Sequence, residues 1–220
     1  MLISFQLALQ VHCQALWQLP SQDSVPPKVT MTDRAHYNAH FASEAAVKSS
    51  VYASLDANAV NINDAQSRVR QLLDSLSEMS SITANHIQRI NENFLCLMFR
   101  TVSFFGLARW APDVLSRDPN SMYNLLHEHI ALVTFEQVAA GFGYSHLGID
   151  LSLIRNFVLM RKFYRNFVYS YMHGIARSED KTPGSVAKAS VMTNTWKRRK
   201  DVCFISFFTF LLAHHWNSCL

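Results

Sequence analysis

The sequence predicts an all-α fold: an irregular helical bundle with a helix-turn-helix-like hairpin and a long basic amphipathic helix. Three observations point there. No Gly or Pro occurs between Lys28 and Phe105, where average usage of about 7% Gly and 5% Pro would place roughly nine. Apolar residues in that stretch recur in alternating steps of three and four, the spacing of one helix face. From Thr134 to Ile154, apolar and glycine residues fall at helix-turn-helix spacing.

Leu2 to Leu19 is apolar, with Gln6, Gln10, Gln14 and Gln18 recurring every fourth residue as a polar stripe. No Lys or Arg precedes this run. An amphipathic helix over 1–19 therefore fits better than a secretion signal, although Cys13-Gln14-Ala15 resembles a cleavage site. Pro20, Pro26 and Pro27, with Ser21, Asp23 and Ser24, mark a linker over 20–32. The helical domain is expected over 33–200, its bundle helices over 33–118.

Two or three helices are expected between Lys28 and Phe105. Ile62, Ala65, Val69, Leu72, Leu76 and Met79 form a brief coiled-coil-like seam, with Asn63 or Asp64 as its cap. Continuing that register would put Thr83, His86 and Asn93 at core positions, so the stripe is expected to pack against neighbouring helices. Ile87, Ile90, Phe94, Leu97, Met98, Val102 and Phe105 predict a central helix ending near Gly106. Asp118, Pro119, Asn120 and Ser121 give a turn and cap, followed by a short helix with Met122, Leu125, Leu126 and Val133.

The hairpin and basic helices are expected over 119–200. Thr134 and Gln137 form a capping-box pair that predicts a new helix from Phe135, and Gly143 supplies the positive φ of a sharp turn. Ser145 or Asp150 caps the next helix, about Asp150 to Met172. At 100° per residue Leu153, Phe157, Met160, Tyr164, Phe167, Val168 and Tyr171 share one face, with Arg155, Lys162 and Arg165 towards the other. Arg177 to Ser185 reads as a polar loop, and Val186 to Lys200 as a helix ending in Lys197, Arg198, Arg199 and Lys200. The tail over 201–220 is apolar from Val202 to Ala213, then interrupted by His214, His215, Asn217 and Ser218. That is short of the roughly 20 apolar residues of a membrane span.

The net charge of +4 conceals a division of the chain. Residues 1–150 hold nine Lys and Arg against thirteen Asp and Glu, whereas residues 151–220 hold eleven against three. Such a cationic segment attracts phosphate backbones or anionic lipid headgroups whatever the fold beneath it. The expected function is non-catalytic nucleic-acid association, most simply with DNA. Arg155, Lys162, Arg165 and Lys197 to Lys200 would contact phosphates, while Ser145, His146 and Asn156 would reach base edges. The departures lie at Leu147, Gly148, Asp150 and Leu151, where a reading helix presents polar or basic groups, so base readout is poorly supported. The alternative is a helical scaffold that meets protein partners or an anionic membrane surface through its ends.

Other chemistry is not legible. Cys13, Cys96, Cys203 and Cys219 are scattered with no CxxC pair, and no Asn-x-Ser/Thr acceptor occurs. Both lean towards a nuclear or cytoplasmic protein. His36, His40 and Glu44 are spaced by four, but no further ligand cluster completes a metal site. Gly141, Gly143 and Gly148 lack the spacing and Gly-Lys-Ser/Thr step of a phosphate loop, and Ser185 with Lys188 has no partner motif. No acid/base carboxylate pair stands out, so no enzyme activity, cofactor or small-molecule substrate is expected.

Overall fold

A computed structural model describes residues 2–21, 23–56, 62–116 and 118–192. All regular structure among them is helical, as the sequence predicts, in α-helices and shorter 3-10 and π segments, and residues 185–192 are helical too. The chain divides into two units, residues 1–177 and 178–220. Lys197, Arg198, Arg199 and Lys200 and the apolar tail lie outside the described residues. No helix among the described residues is long and apolar enough to cross a membrane.

The first helix, α1 (Leu2–Trp17), is a core element, not the amphipathic helix ahead of the domain that its glutamines suggest. Phe5, Leu9, Cys13 and Leu16 are buried, and so are His12 and, from the glutamine stripe, Gln14. Its C-terminus is a Schellman closure: Gln18 (φ 58) donates to the Ala15 carbonyl at 3.0 Å and Leu19 to that of Gln14 at 2.9 Å. Pro20 cannot extend the helix beyond it.

The Gly- and Pro-free stretch folds into five helices, more than the two or three expected: α2 (Met31–His40), α3 (Glu44–Asp56), α4 (Ile62–Ser77), α5 (Ile82–Ile87) and α6 (Glu92–Phe104). The seam on α4 behaves as a core stripe, with Ala65, Val69, Leu72 and Leu76 buried and Ile62 and Met79 at its exposed ends. Burying a Leu contributes about 1.5–3 kcal/mol, which locks α4 onto α6. Asp64 lies in the first turn instead of capping it, accepting from Ser103 Oγ at 2.7 Å and pairing with Arg68 at 2.9 Å. The single helix expected from Ile87 to Phe105 is interrupted because Asn91 caps α6, its side chain accepting from Asn93 N.

The next helix, α7 (Met122–Ala140), starts at the expected cap, Ser121, and then runs unbroken for 19 residues. Thr134 therefore starts no new helix. Its hydroxyl is directed back to the Ile130 carbonyl at 2.6 Å, the alternative a mid-helix Thr has to capping. At the end of α7 the chain turns, but the left-handed residue is Phe142 (φ 62), one position before the glycine expected there. Phe142 N and Gly143 N donate to the carbonyls of Ala139 and Val138 at 3.0 and 2.8 Å, a second Schellman closure. Gly143 is needed for closeness, since a Cβ would stand 2.5 Å from Val138 Cγ1 and 3.0 Å from the Val138 carbonyl oxygen.

The long helix expected from Asp150 to Met172 is divided. It comprises a 3-10 segment Leu151–Arg155 capped by Asp150, α8 (Phe157–Asn166), and a π segment Phe167–Met172 that runs into α9 (His173–Lys181). A π segment adds about one residue per turn and rotates the face, which brings Met172 into the core and leaves Tyr171 39% exposed.

Candidate nucleic-acid interface

The expected interface begins with α8, whose cations separate by burial of what they meet. Glu128 on α7 is 0% exposed. Arg165 Nε donates to its Oε2 at 2.8 Å, and Arg161 Nε makes a close charge contact with Oε1 at 2.6 Å. Arg165 Nη2 also donates to Asn120 Oδ1 at 2.8 Å, which fixes the guanidinium at the start of α7. Arg161 Nη2 meets Glu44 Oε1 at 2.9 Å, and the same oxygen faces His129 Nε2 at 3.2 Å. Two carboxylates and two guanidiniums thus balance across α3, α7 and α8. Arg165 is directed inward and its charge is already answered.

The electrostatics follow from that burial. Desolvation raises the Glu128 carboxyl above its usual range, with the Arg165 and Arg161 guanidiniums opposing it. Burial also works to raise Glu44, but Arg161 and the His129 ring outweigh it and hold that carboxyl low. Burial lowers the His129 pKa against the pull of Glu44. Phe157 stacks on the His129 ring at 5.7 Å, and Lys48 Nζ lies 4.9 Å from the centroid of Phe157. The i, i+4 spacing of Arg161 and Arg165 on an apolar helix was a signal for a shared acidic partner. Nothing in the sequence pointed to Glu128 as that partner.

Arg155 and Lys162 remain exposed, and neither forms an ion pair among the described residues. The three residues expected to read bases are otherwise occupied or poorly placed. Asn156 is the N-cap of α8, its Oδ1 accepting from Leu159 N at 3.0 Å. His146 lies in the 3-10 turn Ser145–Leu147 and stacks on His86 at 5.5 Å. Ser145 is exposed in the same turn, with no helix beneath it to enter a groove. The structure brings together neither a recognition helix nor these three side chains.

A second polar node lies deep in the core. Thr134 gives its proton to Ile130, accepts from His12 Nε2 at 2.9 Å, and the other ring nitrogen of His12 accepts from Tyr144 Oη at 2.5 Å. Donors and acceptors balance for a neutral His12 with its proton on Nε2. Burial lowers its pKa to about 3. His127 is also buried, beside Trp110 and Tyr123, with no hydrogen-bond partner for either ring nitrogen among the described residues, and burial likewise lowers its pKa to about 3. These rings are sealed from solvent and act as architecture. His36 lies within α2 and His40 ends it, while Glu44 opens α3, so the spacing of four does not align three ligands, and no metal-binding group occurs among the described residues.

No protein family, curated protein or solved structure matches this chain.

Proposed function

We propose that the chain is a non-catalytic helical protein that associates with nucleic acid through its cationic segment after residue 150, by phosphate contacts without base readout. One observation carries the reading: eleven basic against three acidic residues fall in 151–220, and internal pairing accounts for Arg161 and Arg165 alone among the described cations of α8. Arg155, Lys162 and Lys197 to Lys200 are the proposed phosphate contacts, and Arg165 is withdrawn from them. Phosphate contacts fix position but carry no sequence information. Engagement of Asn156 as a cap and of His146 in a ring stack supports a sequence-indifferent mode.

The test is fluorescence anisotropy of the purified chain on two unrelated duplexes of equal length, titrated with salt. Six neutralised phosphates give a log–log slope of about −5, with affinities for the two duplexes within about threefold. Binding that is absent, or that is insensitive to salt, contradicts the proposal. Strong preference for one duplex contradicts the claim that bases are not read.

A further inference from the structure

A groove of about 420 Å³ runs between α4 and α6. Ile62, Ala65, Phe94 and Leu97 supply its apolar lining, and Arg100 is the one charged side chain among the described residues that line it. The volume falls in the range of small-molecule pockets, and Gln66, Asn93 and Arg100 are the few polar groups set among the apolar ones. We infer that this groove binds a medium-chain fatty acid, with the acyl chain along Leu97 and Phe94 and the carboxylate at Arg100.

The groove is pre-shaped on its Phe94 side. A Cβ on Gly141 would stand 2.6 Å from Phe94 Cζ, and one on Gly143 would stand 3.0 Å from Phe94 Cδ2. A side chain at either glycine would press on the Phe94 ring where it now packs against the end of α7. Asn93 to Arg100 spans about 10 Å along α6 at a rise of 1.5 Å per residue, which fits a chain of medium length.

Arg100 is placed for the acid end. Its Nη2 donates to the Leu55 carbonyl at 3.1 Å, which anchors the guanidinium at the end of α3, while its Nε has no hydrogen-bond partner among the described residues. The shift at Cys96, which also lines the groove, is governed first by burial, with Glu92 adding to it and Arg100 opposing. No carboxylate pairs with Arg100 among the described residues. A guanidinium anchored on one edge and lacking an acid partner suits a carboxylate, and an alcohol or ammonium of equal length would forgo that charge-assisted bond.

Isothermal calorimetry with decanoate, octanoate, decanol and decylammonium tests the assignment on the full chain. Expected are one decanoate per chain, octanoate about tenfold weaker for its two missing methylenes, and decanol about tenfold weaker for its missing charge. Arg100→Gln brings decanoate to the decanol level and leaves decanol unchanged. Gln66→Trp, at the exposed lip, abolishes both while circular dichroism stays that of the parent, and Leu97→Trp does the same should the first variant fold poorly. Equal affinity for decanoate and decanol, preference for decylammonium, absence of saturable binding, or binding that survives both tryptophan variants would overturn the inference.

Discussion

Arg165 Nε lies 2.8 Å from Oε2 of Glu128, a carboxylate with no solvent exposure in the middle of α7. The pairing makes one of the chain's most suggestive cations a structural tie between α7 and α8. Removing one member of a buried pair leaves an uncompensated charge, at a cost of about 3–5 kcal/mol. Glu128→Ala leaves Arg165 without its acid partner while Arg161 keeps Glu44, and is expected to lower the urea unfolding free energy by about 3 kcal/mol, the lower end of that range. Lys162→Ala, one position from Arg161 but exposed, is expected to stay within about 0.5 kcal/mol of the parent. Equal effects of the two substitutions would contradict the division of α8 into inner and outer cations.

Stability is expected to fall as pH drops from 7 to 5. His12 and His127 have folded-state pKa values of about 3 because burial excludes the charged ring. The unfolded chain titrates them near 6.5 and so binds more protons below that pH. Their stabilising contribution is present above about 6.5 and is lost progressively down to about 3, each ring contributing about 1.4 kcal/mol per pH unit. Together they predict a loss of about 4 kcal/mol between pH 7 and 5. Urea midpoints at the two pH values measure it, and His12→Gln should reduce the loss by about 2 kcal/mol over that range. A flat profile would mean that these rings reach solvent.

The turn after α7 carries two opposite expectations. Gly143→Ala drives a Cβ to 2.5 Å from Val138 Cγ1 and should destabilise by about 1–3 kcal/mol, the usual cost of overpacking. Phe142 is 66% exposed with φ 62, so Phe142→Asn loses little packing and gains a residue that tolerates the left-handed region. It should stabilise by roughly 0.5–1 kcal/mol. Thermal unfolding of the two variants checks both signs. A destabilised Phe142→Asn would show that the ring contributes more than its exposure implies.

Helix faces were legible in the sequence, and helix ends much less so. The stripe Ala65, Val69, Leu72 and Leu76 is buried as its spacing predicts, and Ser121 caps α7. Breaks set by a single asparagine were not, because Asn91 and Asn156 act through one side-chain bond that leaves the apolar period untouched. The site failed for a related reason. Thr134 and Gln137 satisfy the capping-box pattern, but the pattern cannot say whether the preceding turn is already helical, and here it is. Likewise Arg165 shares the polar side of α8 with Lys162, and only the position of Glu128 across the interface divides them.

The salt dependence of duplex binding, compared among the parent, Arg155→Ala/Lys162→Ala and Arg165→Gln, tests the polyanion reading most directly. Each lost phosphate contact should shallow the log–log slope by about 0.9, so the double variant should lose about 2 while Arg165→Gln, checked for helicity, keeps the parent slope. A slope that is unchanged in the double variant, or that falls with Arg165→Gln, would contradict the account.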